Sequence, residues 1–497
     1  MKHSFFSANR LTCYPYALLF LGSIVVLLPS SLAPFANKLT GTMADPTVYI
    51  YCADQILHGK IMYKELFDHK GPVLYLINVI GLLIGGGNST GIWFVELMSL
   101  FGASIFIFKS VCLYFDRWIA LLATLSCLLL VFPLLGGGNF SEEYAFPLIS
   151  ISMYFFLYFF KYQNVYKSHF AIMALCLACA FLIKPNFIAL WVAGYLFVLI
   201  ILLKNNRLKE LMPIVLISIV SFVVVCLPFA LYFTCTDSWA EFKFCFWDFN
   251  RTYSDISFST ILLRTCRRFW FPGHLMLSMI GRMHVITFFF VGLIYFKQLI
   301  YRIESFFIFF TIILTNTMIS IGSYEFLNYY ILFVPLFALP YATILCLFVK
   351  KLAVNPKLII CLLFLLLCSG SVIFIKDAYK NVDSTEKFIS FIKENSANSD
   401  KITVLGNACW VYLYADRESV SKYSYQSPHS VAKQYGAIIA ESYLNDIKNG
   451  KPRIIITDKS LGEDWEIYLS GLYDLLNTQY EKALIADNRF DCWLKKQ

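Results

Sequence analysis

Apolar runs long enough to cross a lipid bilayer recur from one end of this sequence to the other. A helix needs about 20 apolar residues to span the hydrocarbon core. Eleven runs approach that length: 15–34, 91–113, 118–135, 144–161, 169–184, 187–203, 212–234, 283–300, 304–322, 330–349 and 357–375. The chain is 59% hydrophobic and 15% charged, which is more apolar surface than one soluble core could bury. The pattern predicts an α-helical polytopic membrane protein with about 11–13 membrane helices.

The charges between the runs predict the orientation of the chain. Lysines and arginines concentrate in alternate gaps, which the positive-inside rule assigns to the cytoplasm. These residues are Lys161, Lys167, Lys204, Arg207, Lys209, Lys297, Arg302, Lys350, Lys351 and Lys357. The N-terminus, with Lys2 and Arg10, is then expected inside. The count holds only if a twelfth, shorter run at 72–87 is re-entrant, juxtamembrane or a broken span.

Three segments outside the membrane exceed ordinary loop length: 35–71, 235–282 and everything after 376. Within the first, 45–57 and 61–67 have the mixed apolar and polar pattern of short interfacial helices. The last alternates helical patterns near 384–395, 429–448 and 463–477 with strand patterns at 401–405, 453–457 and 480–494. We therefore expect a transmembrane domain over 1–375 and an extracytoplasmic α/β domain over 376–497.

The net charge of +9 does not indicate a nucleic-acid partner. The basic residues lie mostly in short gaps between apolar runs, and no basic module interleaved with aromatic residues occurs. Membrane lipid is instead the expected surrounding of most of the chain.

Acidic residues at predicted outer membrane edges are the first candidates for chemistry. Asp45 follows the first run, and Glu142 and Glu143 follow a Gly-Gly-Gly-Asn-Phe-Ser stretch. A carboxylate partly removed from water can act as a general base. The alternative is structural: Asp45 caps an interfacial helix, and the two glutamates supply first-turn acids to the next span.

Basic residues at the same predicted edges could bind an anionic headgroup. Lys70 lies in His69-Lys70-Gly71-Pro72, and Lys184 lies in Lys184-Pro185-Asn186 between two spans. Either lysine could hold a lipid phosphate or simply extend its side chain to the interface. Five arginines in the outer loop 235–282 run against the positive-inside trend and suggest an anionic partner: Arg251, Arg264, Arg267, Arg268 and Arg282. The Asn328-Tyr329-Tyr330 segment is either part of a site or an aromatic belt.

Together these residues resemble the GT-C glycosyltransferases, in the branch of bacterial aminoarabinose transferases and protein mannosyltransferase-like enzymes. The resemblance rests on Asp45, on the run from Leu57-His58-Gly59-Lys60-Ile61-Met62-Tyr63 to Phe67-Asp68-His69-Lys70-Gly71-Pro72, on Glu142 and Glu143, on Asn328-Tyr329-Tyr330 and on the outer α/β domain. It covers the whole chain in layout, with sequence motifs over 41–75 and 137–147 and weaker similarities near 184 and 328.

The resemblance implies transfer of a sugar, hexosyl or pentosyl, from a polyprenyl-phosphate carrier to a lipid, glycan or protein acceptor. It implies a bacterial inner-membrane enzyme of cell-envelope biosynthesis, such as that of lipopolysaccharide, with inversion and without a cofactor, although a divalent metal stays open. Asp45 would activate the acceptor hydroxyl, Glu142 or Glu143 would assist at the sugar, and Lys70 would neutralise the leaving phosphate. The implied substrate-binding residues are Tyr63, Asp68, His69, Lys70, Lys184, Asn186, Arg267, Arg268, Asn328 and Tyr330.

Two other classes of function compete with this one. A polysaccharide flippase, polymerase or other envelope lipid transporter would carry charged residues along a path through its spans, whereas the charges here cluster at one face. A non-catalytic envelope scaffold would not depend on Asp45.

Overall fold

The structure is a computed structural model. It describes residues 13–30, 32–33, 44–135, 137–253, 257–270, 292–294, 302–321, 326–378, 382–426, 435–459, 470–483 and 489–496. Residue contacts divide the chain into two compact units. Unit 1 comprises Met1–Pro29, Phe94–Cys226 and Phe258–Ile375, and unit 2 comprises Ser30–Trp93, Leu227–Ser257 and Lys376–Gln497. The sequence-based boundary at 375/376 stays a prediction.

Long apolar helices dominate the described chain, as the hydropathy pattern predicted. The main helices are Tyr14–Leu27, Thr90–Cys112, Arg117–Val131, Ser141–Tyr162, Lys167–Ile183, Ala189–Lys204, Leu211–Cys235, Phe258–Trp270, Arg302–Ser320, Val334–Leu352 and Pro356–Ala378. Short 3₁₀ segments lie at Phe132–Leu134, Pro185–Phe187, Leu208–Glu210 and Leu327–Phe333. Within the described residues six helices are long and apolar enough to span a bilayer. The chain is therefore a multi-pass membrane protein.

Ten of the eleven predicted runs coincide with an apolar helix. The remaining run, 283–300, lies outside the described residues apart from 292–294. The uncertain run 72–87 forms a 13-residue helix, Pro72–Ile84. At 1.5 Å per residue this helix is about 20 Å long, short of the hydrocarbon thickness. Its predicted re-entrant or broken character stays a prediction.

The predicted elements of the C-terminal α/β unit are confirmed where the structure describes them. Positions 429–434 and 463–469 of two predicted helices lie outside the described residues, and the short helix Trp410–Ala415 was not predicted. The helices of this α/β unit are Val382–Glu394, Trp410–Ala415, Gly436–Gly450 and Ser470–Gln479, and its strands are β1 (Ile402–Leu405), β2 (Ile454–Asp458), β3 (Tyr480–Ala483) and β4 (Phe490–Lys495). The sheet order is β1-β2-β4-β3, with β1 parallel to β2 and the other pairs antiparallel. The β1–β2 pair is buried, which explains why both strands are apolar without alternation.

Of the two short helices predicted in the first long loop, one is present. Ala44–Leu57 is helical, but the predicted helix at 61–67 is wrong: this stretch is a tight turn closed by a bridge between Met62 and Leu66. Tyr63 adopts a φ of 70°, which is outside the helical region. The remaining helices of unit 2 are Pro72–Ile84, Trp239–Lys243, the π-helical Phe244–Asp248 and Phe249–Tyr253.

A glycine pair allows two backbones of unit 2 to approach closely. A Cβ added to Gly91 would lie 2.0 Å from the carbonyl oxygen of Gly81. Ile92 packs nearby in a core with Leu32, Ile50, Ala53 and Leu82. Because the obstructing atom belongs to the backbone, a side-chain rotation cannot relieve the clash.

We expect Gly91→Ala to lower the thermal unfolding temperature of the purified protein strongly, through a cost of about 1–3 kcal/mol or more for forced backbone displacement. Gly102 lies in the same helix with no atom within 4 Å of its added Cβ. Gly102→Ala is the matched control and should leave the melting temperature unchanged or slightly raised. Equal melting temperatures for the two variants would contradict the close approach.

Candidate active site

Asp68 is fully buried, more so than any other described acid of unit 2. Its carboxylate accepts hydrogen bonds from the hydroxyls of Tyr75 and Tyr425, the latter at 2.5 Å, and from the backbone N–H of His69 at 2.6 Å. The turn that carries it is closed by Tyr63, whose hydroxyl donates to the carbonyl oxygen of Lys70 at 2.7 Å. Asp68 therefore orders the His-Lys-Gly-Pro segment.

Lys70 is 7% exposed, yet it forms no ion pair with a carboxylate among the described residues. Its Nζ lies 2.8 Å from Nε2 of His69. Since an ammonium group only donates, Nε2 accepts, and the ring proton belongs on Nδ1, 3.5 Å from the Asp68 carboxylate. The ammonium keeps donors for a further anion.

Tyr49 links Asp45 to Lys70. Asp45 is half-buried in the first turn of the Ala44–Leu57 helix, and Tyr49 follows one turn later. The Tyr49 hydroxyl donates to Oδ2 of Asp45 at 3.4 Å, and Nζ of Lys70 lies 6.0 Å from the centre of the Tyr49 ring. An accessible carboxylate and a buried cation therefore flank one tyrosine.

The surroundings of Asp68 favour its charged form. Burial alone would raise the pKa of Asp68, but the positive charge of Lys70 outweighs it, with help from the neighbouring His69 ring and from the two tyrosine hydroxyls. The result is a pKa below the ordinary value of 3.8.

A lowered carboxyl pKa in the folded state stabilises the fold above the unfolded pKa. We expect the contribution of Asp68 to be complete at neutral pH and to be lost as the pH falls below 3.8 through the lower folded value. The measurement is the thermal unfolding temperature of wild type and Asp68→Asn between pH 7 and acid. The difference between their unfolding temperatures should become smaller as the pH falls. A constant difference would contradict the assignment.

Glu142 is the corresponding buried acid of unit 1. It accepts hydrogen bonds from Nζ of Lys184 at 3.2 Å, Nδ2 of Asn328 at 2.6 Å and Oγ of Ser141 at 3.0 Å. Lys184 also donates to the hydroxyl of Tyr329 at 3.0 Å and lies 4.2 Å from its ring centre. Three of the residues singled out from the sequence, Glu142, Lys184 and Asn328, thus form one cluster.

Glu143 has a different environment from its neighbour. Its Oε1 accepts the backbone N–H of Phe140 at 3.0 Å, as an acid in the first turn of a helix commonly does. It also faces the buried Glu96, which sequence analysis missed. Glu96 accepts the backbone N–H of Asn139, and Tyr144 donates to the Asn139 side chain at 2.7 Å. A lone acid inside an apolar run was the signal that could have identified Glu96.

The loop before these glutamates has a left-handed backbone. Asn139 has φ 62°, and Gly137 and Gly138 have φ 112° and 96°. Glycine adopts such angles without steric cost. The glycine stretch therefore lets the backbone N–H of Asn139 turn toward Glu96.

A family model described as "Putative competence-induced protein Ccs4 N-terminal domain" matches residues 6–359. The chain belongs to this family. No curated protein matches the chain in sequence.

Solved structures show the fold of this Ccs4-family chain. ArnT from Cupriavidus metallidurans bound to undecaprenyl phosphate has a TM-score of 0.66 at 11% identity, and its apo state has 0.62 at 12%; each comparison covers 98% of both chains. The Archaeoglobus fulgidus oligosaccharyltransferase tethered to an acceptor peptide has 0.55 at 12% identity, over 98% of this chain and 74% of the other. The GT-C fold implied by the sequence resemblance is confirmed.

Four further predicted site residues of this Ccs4-family chain are Asn186, Arg267, Arg268 and Tyr330. The buried Oδ1 of Asn186 has no hydrogen-bond partner within the described ranges and lines a small cavity with Thr311 and Thr315. Tyr330 packs on Phe333, with ring centres 5.9 Å apart. The side chains of Arg267 and Arg268 lie outside the described residues, although their backbone is helical. Among the residues that are described, no group of three His, Cys, Asp or Glu side chains could hold a metal.

Proposed function

We propose that this chain is a glycosyltransferase that moves a sugar from a polyprenyl-phosphate carrier to an acceptor of the bacterial envelope. The observation that carries the proposal is the arrangement around Tyr49, with the half-buried Asp45 on one side and, on the other, the buried Lys70, which forms no ion pair with a described carboxylate. A base and an anion-binding cation are the two groups that such a transfer needs. The GT-C fold and the undecaprenyl phosphate bound to ArnT support the same substrate class.

The proposed reaction is a single displacement. The acceptor oxygen bonds to the anomeric carbon, the bond from that carbon to the carrier phosphate oxygen breaks, and its electron pair stays on the phosphate. Asp45 takes the proton from the acceptor hydroxyl. Attack from the face opposite the leaving group inverts the anomeric centre.

Lys70 stabilises the departing phosphate. The leaving oxygen gains negative charge as the glycosidic bond breaks, so a fixed cation stabilises the transition state more than the ground state. Its burial strengthens this effect by excluding water. Because Lys70 supplies the positive charge, the proposed step needs no metal.

Glu142 is the better candidate of the tandem pair. Its carboxylate is held by Lys184 and Asn328, two polar side chains from separate elements, whereas Glu143 accepts a backbone N–H at a helix start. We propose that Glu142 orients the sugar or the acceptor and that Glu143 holds the loop.

The proposed setting is a bacterial cytoplasmic membrane. The positive-inside pattern supports an N-terminus in the cytoplasm and an outward-facing C-terminal domain. The acceptor is then a lipid, glycan or protein of the envelope, reached from the outer face.

The test uses the full-length protein in lipid nanodiscs with undecaprenyl-phosphate-linked sugars and acceptors extracted from envelope membranes. We expect release of undecaprenyl phosphate, measured by mass spectrometry, together with a new glycosylated product. Glu142→Gln should lose the release. Glu143→Gln should retain it, since glutamine still offers an oxygen to the Phe140 N–H. Intact donor crossing a vesicle membrane without cleavage would contradict a transferase and favour a flippase.

A further inference from the structure

A polar groove in unit 2 has no role in the chemistry described so far. It has a volume of about 370 Å³ and runs along the turn after the Ala44–Leu57 helix, the 419–422 segment and the Gly436–Gly450 helix. This size lies within the range of small-molecule sites. Its charged and hydroxyl lining includes Lys60, Glu65, Lys401, Lys422, Ser442 and Asp446.

The groove offers donors and acceptors side by side. Asp446 uses Oδ2 to accept from the Ser421 hydroxyl at 2.6 Å, and Glu65 uses Oε2 to accept from the Ile61 N–H at 2.7 Å. Each acid therefore keeps one oxygen without a partner among the described residues. Lys422 forms no ion pair there either, and its Nζ lies over the Tyr423 ring at 5.2 Å.

The charges of the groove balance. Two lysines of the lining, Lys60 and Lys401, both pair with Glu418, at 3.5 Å and 3.4 Å. Lys422 lines the groove together with the acids Glu65 and Asp446. A polyanion would meet two carboxylates, and a polycation would meet three lysines. A ligand with many hydroxyls and no net charge suits such a lining, because each hydroxyl both donates and accepts.

The backbone links the groove to the Lys70 segment. Leu66 lines the groove, and the next residue, Phe67, donates its N–H to the carbonyl oxygen of Lys422 at 2.9 Å. Asp68 follows, held by Tyr425 from the same stretch as Lys422. Four peptide bonds therefore separate a residue of the groove from Lys70.

We propose that this groove binds an uncharged carbohydrate and serves as the acceptor subsite of the transferase. The role as acceptor subsite rests on the proposed function, whereas the binding of a carbohydrate depends only on the groove. The sugar hydroxyls bond to Lys422 and to the open oxygens of Asp446 and Glu65. Residues of the outer loop and of the C-terminal segment would then bind part of the acceptor.

The test is saturation-transfer NMR on the full-length protein in nanodiscs, with maltose and N,N′-diacetylchitobiose as probes. We expect saturation of at least one disaccharide by the wild type. Lys422→Ala combined with Asp446→Asn should weaken binding about tenfold or more, since hydrogen bonds from charged groups are lost. Asparagine can still accept from Ser421, which protects the local fold. Ser442→Trp should block the groove by volume, and Lys482→Ala with Asp474→Asn is the matched surface control.

The outcomes separate this inference from the proposed function. Undecaprenyl phosphate binding, followed by native mass spectrometry in the same nanodiscs, should be equal in wild type and groove variants. Disaccharide binding without binding of undecaprenyl phosphate would leave the groove standing and remove the donor assignment. Absence of saturation for both disaccharides, equal saturation in the blocked variant, or displacement by inorganic phosphate would each overturn the carbohydrate site.

Discussion

Asp45→Asn should reduce sugar transfer by at least about a hundredfold, the scale expected for removing a general base. Asparagine has nearly the same shape and can still accept the Tyr49 hydrogen bond, so the helix should form normally. The amide cannot take the proton of an acceptor hydroxyl. The measurement is mass spectrometry of envelope lipids and glycans from cells that carry only the variant, with protein abundance measured in the same membranes.

Asp54→Asn is the matched control, because Asp54 belongs to the same helix and pairs with His58 near its end. We expect wild-type products from this control. Wild-type turnover in purified Asp45→Asn would remove Asp45 from the mechanism and favour its alternative role as a helix-start acid.

The second large effect is expected at Lys70. Lys70→Ala should weaken binding of undecaprenyl phosphate about tenfold to a hundredfold, which is the cost of losing a charged hydrogen bond to an anion. It should also slow transfer, because the leaving phosphate is no longer neutralised. The two quantities are measured separately, binding by native mass spectrometry and transfer by release of the carrier phosphate.

Two controls accompany Lys70→Ala. Lys64→Ala removes the same charge from the same loop. There Nζ donates to the carbonyl oxygens of Thr236 and Asp237 and lies 3.9 Å from the Asp237 carboxylate. This variant should bind the carrier normally. Lys70→Arg should restore part of the affinity by keeping the charge. Equal affinity in Lys70→Ala and wild type would mean that this lysine only extends toward the interface.

The cluster around Glu142 and the group around Asp68 and Lys70 differ in how far the sequence predicted them. Glu142 and Lys184 stand out in the sequence because they are charged residues at predicted membrane edges, whereas Asn328 is implied by the family resemblance. Their mutual contacts follow from the packing of helices. Tyr329 binds Lys184 although the sequence favoured Tyr330, because a 3₁₀ segment, Leu327–Phe333, carries both tyrosines. Nothing in a hydropathy pattern predicts which side of a 3₁₀ turn faces the cluster.

The contacts of Asp68 show most clearly what the sequence does not predict. The sequence marked it as part of a motif, but one of its tyrosine donors, Tyr425, is 357 residues away. The lowered pKa and the order of the His-Lys-Gly-Pro segment depend on that distant hydroxyl, on Tyr75 and on Lys70 together. No local pattern contains this information.

The sequence by itself determined the apolar helices and most of the C-terminal α/β elements that the structure describes, because bilayer thickness and strand burial impose lengths and periodicities that are written locally along the chain. It also drew attention to most of the polar groups that form the two clusters. The tertiary structure decided which of these groups pair, that Glu143 accepts a backbone N–H while Glu142 meets Lys184, and that Tyr49 lies between Asp45 and Lys70. Pairing depends on which distant elements pack together, and hydrophobic packing is not directional enough for one sequence to reveal it.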